Sequence, residues 1–143
     1  MSESLNVASL SKSFQTAGGE LPILKRANLN LNRGDAVAIT GPSGSGKSTL
    51  LYIIGLLDEP TSGEVIIADE QPLKFDAAKQ ASFRNQNIGF IFQDHHLLPQ
   101  CTVLENVYLP TLASTRNDPT VEQRAKELLD RVGLADRLNH RPG

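Results

Sequence analysis

The sequence predicts an α/β fold in which an N-terminal antiparallel β subdomain precedes a parallel core sheet. Apolar and polar residues alternate in "SLNVASLSKSF" and "PILKRANLNLN", on either side of the turn signal "TAGGE", which indicates two half-exposed antiparallel strands. The apolar run "AVAIT" (36–40) is typical of a strand buried on both faces. The motif "GPSGSGKST" follows this run, and an apolar helical stretch through Leu57 follows the motif.

The remaining elements continue this α/β pattern. "EVIIA" (64–68) and "IGFIFQ" (88–93) have the composition of strands, and residues 75–86 form a predicted helix between them. A further helix begins after Thr102, with Glu105 at the capping-box position. The last predicted helix runs from near Pro119 to Val132, and Gly133 stops it.

Composition and charge limit the possible functions. A chain of 143 residues with 39% hydrophobic and 21% charged residues fits one ordinary globular domain. The net charge of -2 gives no electrostatic footprint for nucleic acid, so we expect no nucleic-acid partner. Cys101 is the single cysteine and cannot form an internal disulfide. The longest apolar run, "LLYIIGLL" (50–57), is far below the roughly 20 residues that span a bilayer, so membrane association requires a partner.

The motif "GPSGSGKST" carries the clearest chemical signal in the chain. It matches the phosphate-binding pattern G-x-x-x-x-G-K-[ST] through Gly41, Gly46, Lys47 and Ser48. Glycines allow the loop to curl and to aim backbone N–H groups at phosphate oxygens, and the following helix adds its positive end. The pattern assigns Lys47 to the β- and γ-phosphates and Ser48 to Mg²⁺. The nucleotide-binding residues predicted here are Gly41, Pro42, Ser43, Gly44, Ser45, Gly46, Lys47, Ser48 and Thr49.

Asp58-Glu59 resembles the acidic pair with which an ATPase ends a strand, but its position excludes that role. Asp58 lies eleven residues beyond Lys47 on one predicted helix, roughly 15 Å from the phosphates. A magnesium-binding aspartate belongs at the end of a neighbouring parallel strand. "LLDEPTSG" is therefore a predicted helix end and turn, and Glu59 is not the catalytic base.

With this loop in place, the chain resembles the ATP-binding subunits of ABC transporters, and among them it is most similar to the lipoprotein-releasing type. The resemblance runs from about Leu5 to Pro142. The motifs that carry it are "GPSGSGKSTLL", "GLLDEPTSGEV", "RNQNIGFIFQDHHLLP", "TVLENV" and "VGLADRLNHRP". It implies a P-loop NTPase fold of ABC type. The predicted domain is a single partial nucleotide-binding domain over 1–143, with the P-loop at 41–49, a Q-loop region at 93–99 and a helical region at about 102–133.

The resemblance also implies roles for individual residues. Phe14 matches the aromatic that stacks on adenine; the alternative is a core phenylalanine on the first strand. Gln93 matches the glutamine that reaches Mg²⁺ and the attacking water, and the alternative is a polar residue that ends a strand. The implied catalytic residues are thus Lys47 and Gln93, the metal ligands are Ser48 and Gln93, and the cofactors are ATP and Mg²⁺. "DHHLLP" is implied to be a surface loop facing a membrane subunit rather than a metal site, with ordinary burial of Leu97 and Leu98 as the alternative.

The family likeness implies partners and a location as well. We expect integral membrane transporter subunits as partners, a homodimer of the ATPase subunit in the complete form, and a peripheral position at the cytoplasmic face of the bacterial inner membrane. The family's signature motif, its strand ending in Asp-Glu and its switch histidine have no counterpart, so the 143-residue chain is expected to bind MgATP weakly and to hydrolyse it negligibly. Three alternatives stay open: a macrolide-type efflux ATPase, a non-catalytic nucleotide-binding module and a P-loop kinase.

Overall fold

A computed structural model describes residues 3–113 and 120–142 of the chain. The chain divides into two compact units, residues 1–84 and 85–143. The first unit contains a β-sheet and the P-loop helix, and the second is built mainly from short helices. Among the described helices, none combines the length and the apolar character that a membrane span requires.

The first unit is organised around a three-stranded antiparallel sheet. Strands β1 (Glu3–Thr16), β2 (Gly19–Asn32) and β3 (Ser62–Ile67) lie in the order β2-β1-β3. Both pairings of the central strand β1 are antiparallel. The predicted N-terminal hairpin and the strand around "EVIIA" are therefore confirmed.

Irregularities in β1 and β2 bend this sheet. Ser9 and Arg26 adopt left-handed conformations with φ of 49° and 51°, and the pairing register shifts between Val7 and Leu10. Side chains satisfy the displaced backbone groups: the Ser9 N–H donates to Asn28 Oδ1 at 2.8 Å, and the Arg26 N–H donates to Ser11 Oγ at 3.0 Å. Bulges supported in this way increase the local twist of a sheet.

Helix α1 (Lys47–Ile54) covers one face of the sheet and completes the core of the first unit. The helix ends three residues before the predicted limit at Leu57, because Leu56 turns into a left-handed conformation with φ of 59°. The Leu56 N–H donates to the Ile53 carbonyl at 3.0 Å, which closes the last turn. The buried core residues are Val7, Leu10, Leu24, Ile53 and Val65.

Two predicted strands, 36–40 and 88–93, are absent from the structure, and these predictions were wrong. Neither segment pairs with a strand in the part of the chain that the structure describes. Val37 is 53% exposed and Ile91 is fully exposed. The preference of such runs for strands comes from burial and cross-strand packing rather than from the backbone, so without neighbours they remain irregular.

Helices of moderate length build the second unit. Helix α2 (Ala77–Asn87) begins in the first unit and ends in the second, close to its predicted range of 75–86. Helix α3 (Val103–Tyr108) follows Thr102, and the predicted capping box with Glu105 is confirmed. Helix α4 (Val121–Arg131) is confirmed too, and Gly133 ends it with φ of 73°. The predicted start of that helix at Pro119 lies outside the described residues.

Short 3₁₀ turns connect these elements, at Pro72–Lys74, Leu109–Ala113 and Ala135–Arg137. In the second unit, Ala125 and Leu129 of α4 are buried. The segment that follows α4 contacts the start of α3, where the Val103 N–H donates to the His140 carbonyl at 2.8 Å. The Leu104 N–H donates to the Leu138 carbonyl at 3.0 Å. The first N–H groups of a helix have no carbonyl partner within the helix. In α3, two of these N–H groups are satisfied by the segment that follows α4.

Candidate functional site: a phosphate-binding loop and its surroundings

The loop 41–46 connects the extended segment 36–40 to helix α1. Gly44 and Gly46 have φ angles of 76° and 88°, a region that other L-residues rarely adopt. The Ser45 N–H donates to the Pro42 carbonyl at 3.3 Å, which closes a turn inside the loop. The glycines of the motif are thus required by the backbone path of the loop.

Lys47 is oriented by the loop itself. Its Nζ donates to the Gly41 carbonyl at 3.0 Å and to the Pro42 carbonyl at 2.7 Å. The ammonium group is therefore held over the curled backbone and is available to an anion that enters the loop. A phosphate oxygen would add a charge-assisted hydrogen bond to this group.

The N-terminus of α1 has the properties of an anion site. Its N-cap residue Gly46 offers no side-chain cap, and no acidic residue lies in the first turn. The first-turn N–H groups lack intrahelical partners, and the helix dipole adds partial positive charge at the same end. Ser48, in this turn, is exposed. Together with Lys47, this donor set fits a phosphate group, and the Ser48 hydroxyl is the kind of hard oxygen ligand that Mg²⁺ accepts.

The end of the loop packs tightly on strand β2. A Cβ on Gly46 would lie 3.0 Å from both Ile23 Cγ2 and Leu24 Cδ2, and 3.1 Å from the Ile23 carbonyl oxygen. Leu24 is itself buried in the core of the first unit. The β subdomain therefore supports the loop directly.

Phe14 lies near the end of β1, where it pairs with Leu21 of β2. Its side chain is 43% exposed, which contradicts the alternative that it is a core residue. The Nζ of Lys12 lies 4.9 Å from the centre of the Phe14 ring. Phe14 thus presents a partly exposed aromatic surface in the same unit as the loop, and its adenine-stacking role stays a prediction.

Asp58 is bound to a lysine of the sheet. Its Oδ1 accepts from Lys12 Nζ at 2.7 Å and from the Glu59 N–H at 2.8 Å. Partial burial acts to raise the pKa of the Asp58 carboxyl, but the Lys12 hydrogen bond, the Glu59 N–H and the Lys12 charge outweigh it, so the pKa lies below its usual value. The predicted helix end and turn at "LLDEPTSG" agree with this arrangement.

Gln93 and the Q-loop region belong to the second unit. Gln93 is exposed in an irregular segment, and the adjacent Phe92 ring stacks on Phe90 with 5.3 Å between ring centres. His96 meets the Phe92 ring edge-on at 5.0 Å, and Leu97 is exposed. Among the residues described, no group of three or more His, Cys, Asp or Glu side chains could hold a metal ion.

Two contacts of this site were not foreseen from the sequence. Lys12 is one of several polar residues in the alternating pattern of β1, yet its ammonium reaches Asp58, 46 residues further along the chain. Gly63 is predicted as part of the turn in "LLDEPTSG", but it lies in β3, where its missing side chain allows β3 to approach β1. No local pattern indicates either contact, since both depend on pairing between distant segments.

The curled glycine-rich loop, its oriented lysine and the uncapped helix N-terminus define a nucleotide-binding domain of the P-loop class. A family model described as "ABC transporter" matches residues 24–143. The chain belongs to the ABC transporter family. This confirms the predicted fold class, in which an antiparallel β subdomain accompanies the P-loop.

Curated relatives show which type of ABC transporter subunit the chain is similar to. The chain is 54% identical over 138 residues to the lipoprotein-releasing system ATP-binding protein LolD 1 of Rhodopirellula baltica, covering 96% of this chain and 60% of that protein. It is 47% identical over 143 residues to LolD of Geobacter metallireducens, covering 100% of this chain and 64% of the relative. The chain therefore spans about 60% of the length of the curated relatives it matches.

A solved structure of an ATP-binding cassette supports the same assignment of the fold. The ATP-binding cassette MJ0796, in a dimeric post-hydrolysis state bound to ADP and Pi, superposes with a TM-score of 0.87 at 39% identity. The match covers 96% of this chain and 61% of that chain. A nucleotide-binding function is thus common to the family, the motif and the structural neighbour.

Proposed function

We propose that this chain is the nucleotide-binding part of an ABC transporter ATP-binding subunit of the lipoprotein-releasing type. The observation that carries the proposal is the loop 41–49, where Lys47 Nζ is held over the Gly41 and Pro42 carbonyls at the uncapped start of α1. In this role Lys47 exchanges one of these carbonyls for a phosphate oxygen. The first-turn N–H groups of α1 would orient the phosphates, and the Ser48 hydroxyl would hold Mg²⁺.

The metal ion, Phe14 and Gln93 complete the proposed site. Mg²⁺, when bound with ATP, neutralises phosphate charge. Phe14 offers its partly exposed ring to the adenine, and stacking of this kind contributes about 1–3 kcal/mol per base. Gln93 would reach the metal and the attacking water with its amide, which can both donate and accept hydrogen bonds.

The names of the relatives support a proposal for the partners and the location. The complete subunit would act as a homodimer on the cytoplasmic face of the bacterial inner membrane, joined to integral membrane subunits that select the lipoprotein cargo. The curated relatives are named for lipoprotein release, and the MJ0796 cassette is described as dimeric. The alternative of macrolide-type efflux is not favoured by these names.

Calorimetric titration of the purified chain with MgATP tests the central part of the proposal. Lys47→Met should raise the Kd for MgATP at least tenfold, which corresponds to about 1.4 kcal/mol. Lys25→Met is the matched control, since Lys25 is an exposed lysine of β2. Equal binding of MgATP by the unaltered chain and by Lys47→Met would show that the loop is not the nucleotide site.

A further inference from the structure

The turn formed by residues 58–61 is joined to β1 immediately before Phe14. Lys12 Nζ donates to Asp58 Oδ1 at 2.7 Å and to the Glu59 carbonyl at 2.6 Å. On either side of Lys12 the backbone is bound as well: the Ser13 N–H donates to Thr61 Oγ1 at 3.0 Å, and the Thr61 N–H donates to the Ser11 carbonyl at 2.8 Å. Four hydrogen bonds therefore connect the 58–61 turn to the residues 11–13.

The Lys12 side chain is fixed by these bonds. It is 12% exposed, whereas the Asp58 side chain is 33% exposed, so the ammonium is partly withdrawn from water. The same ammonium lies over the Phe14 ring, 4.9 Å from its centre, within the range of a cation–π interaction. The ring thus contacts a group that is itself anchored. Because the Phe14 side chain is still 43% exposed, part of its surface is accessible to another ligand.

We propose that Lys12 is a positioning residue for base binding: anchored by Asp58 and the Glu59 carbonyl, it holds the Phe14 ring ready to stack on a purine base. The inference rests on the proposed nucleotide-binding function. Asp58 lies too far from the phosphate loop along the chain to bind the metal. The inference assigns this acidic turn residue a role at the base instead.

The connection to the phosphate loop supports this role. Helix α1 begins at the P-loop, and residues 55–57 connect its end to the 58–61 turn. Lys12 pairs across the sheet with Leu24, and Leu24 also contacts Gly46 at the end of the loop. The Phe14 ring with Lys12 and the phosphate loop are therefore supported by the same short piece of β-sheet and helix.

A purely structural role is the competing explanation, since the same bonds join β1 to the turn that precedes β3. The two roles differ in what they affect. A structural role would weaken the binding of every ligand of the loop, whereas a role through Phe14 affects only ligands that carry a base. Inorganic tripolyphosphate occupies the phosphate loop without a base and separates the two cases.

The experiment measures the Kd of the chain for MgATP and for magnesium tripolyphosphate by calorimetry. The variants are Lys12→Met, which keeps the aliphatic stem, Asp58→Asn, Phe14→Leu, the double variant Lys12→Met/Phe14→Leu, and Lys25→Met as control.

Lys12→Met should raise the Kd for MgATP about three- to tenfold, the range expected from a lost cation–π contact and a freer ring. The Kd for tripolyphosphate should change less than about twofold, and in the Phe14→Leu background Lys12→Met should have no further effect on MgATP. Asp58→Asn should reproduce part of the Lys12→Met effect, and circular dichroism checks that each variant is folded.

Four results overturn the inference. Equal weakening of MgATP and tripolyphosphate assigns Lys12 a structural role, and additive effects of Lys12→Met and Phe14→Leu show that Lys12 does not act through the ring. An unchanged Kd for MgATP in Lys12→Met removes Lys12 from base binding while the proposed function stands. If the unaltered chain binds tripolyphosphate as tightly as ATP, Phe14 does not stack on the base and the inference is wrong. If it binds neither ligand, the proposed nucleotide-binding function is itself wrong.

Discussion

Gly63 lies directly against Leu10, so that a Cβ on Gly63 would stand 2.6 Å from Leu10 Cα and 2.6 Å from the Ser9 carbonyl oxygen. Both neighbours are backbone atoms and cannot move aside as a flexible side chain could. Gly63 also has φ of 93°, a conformation that an alanine adopts only under strain. Gly63→Ala should therefore lower the free energy of unfolding by about 3–5 kcal/mol, measured by urea denaturation.

Gly18→Ala is the matched control for this substitution. An added Cβ there meets only Thr16 Oγ1 at 3.9 Å, an ordinary contact. It should change stability by no more than about 0.5 kcal/mol. Similar losses in the two variants would show that the approach of β3 to β1 at Gly63 does not limit stability.

The two left-handed glycines of the P-loop should respond differently to alanine. Gly44→Ala adds strain at φ of 76° but has open space around the new Cβ. Gly46→Ala adds similar strain at φ of 88° and also places the new Cβ 3.0 Å from Ile23 Cγ2 and from Leu24 Cδ2, which must shift. We expect Gly46→Ala to cost at least about 1 kcal/mol more stability than Gly44→Ala, by the same denaturation assay. Equal costs would show that the loop does not rest on β2.

The Lys12–Asp58 pair should make stability depend on pH in the acid range. Because the pKa of Asp58 is lowered in the folded chain, its contribution is fully present above the ordinary carboxyl pKa of about 3.9 and is lost as the pH falls through the lower folded value. The contribution should be modest, about 1 kcal/mol, since Asp58 remains one-third exposed. Urea midpoints measured from pH 6 to pH 2 should show this loss in the unaltered chain and less of it in Asp58→Asn. Parallel pH profiles for the two proteins would contradict the prediction.

The sequence predicted most reliably what short-range chemistry decides. Period-two alternation identified the hairpin of β1 and β2, and the spacing of Thr102 and Glu105 identified a helix start that the structure confirms. The glycine-rich motif likewise predicted a curled loop before a helix. Each of these depends on groups a few residues apart, whose geometry the local sequence specifies.

What the sequence could not predict depends on contacts between distant segments. The runs 36–40 and 88–93 have strand composition but find no partner strand among the described residues, so composition alone misassigned them. Helix α1 ends early because Leu56 accepts a left-handed conformation, and its carbonyl receives a hydrogen bond from Arg84 Nη1 at 2.8 Å, which is 28 residues away. The contact between Lys12 and Asp58 has the same origin.

The capping box of α3 offers a local test in the second unit. The Glu105 N–H donates to Thr102 Oγ1 at 3.2 Å, and the Thr102 N–H donates to Glu105 Oε2 at 2.7 Å. Thr102→Ala should cost about 1 kcal/mol, whereas Ala at the exposed Gln100 should be nearly neutral. Hydrogen bonds from the Thr102 backbone and side chain lower the pKa of Glu105, so the box should weaken only as the pH falls below the usual glutamate range. Hydrogen exchange at the first turn of α3 measures both effects, and equal protection in Thr102→Ala and the unaltered chain would contradict them.

Asn106 connects α3 to the loop that ends the Q-loop region, and its substitution should loosen that loop. Its Oδ1 accepts from the Leu98 N–H at 2.8 Å, while its Nδ2 donates to the carbonyls of Leu98, Cys101 and Thr102 at 3.1, 3.2 and 2.9 Å. Asn106→Asp keeps the size of the side chain but turns a donor toward three carbonyls into an acceptor. Because the backbone groups then lose their donor and face a carboxylate, we expect a loss of about 2–3 kcal/mol. Asn139→Asp, at an exposed position, is the control for added charge. Faster amide exchange confined to residues 98–102 in Asn106→Asp would support this assignment, and unchanged exchange there would show that the loop is held by other contacts.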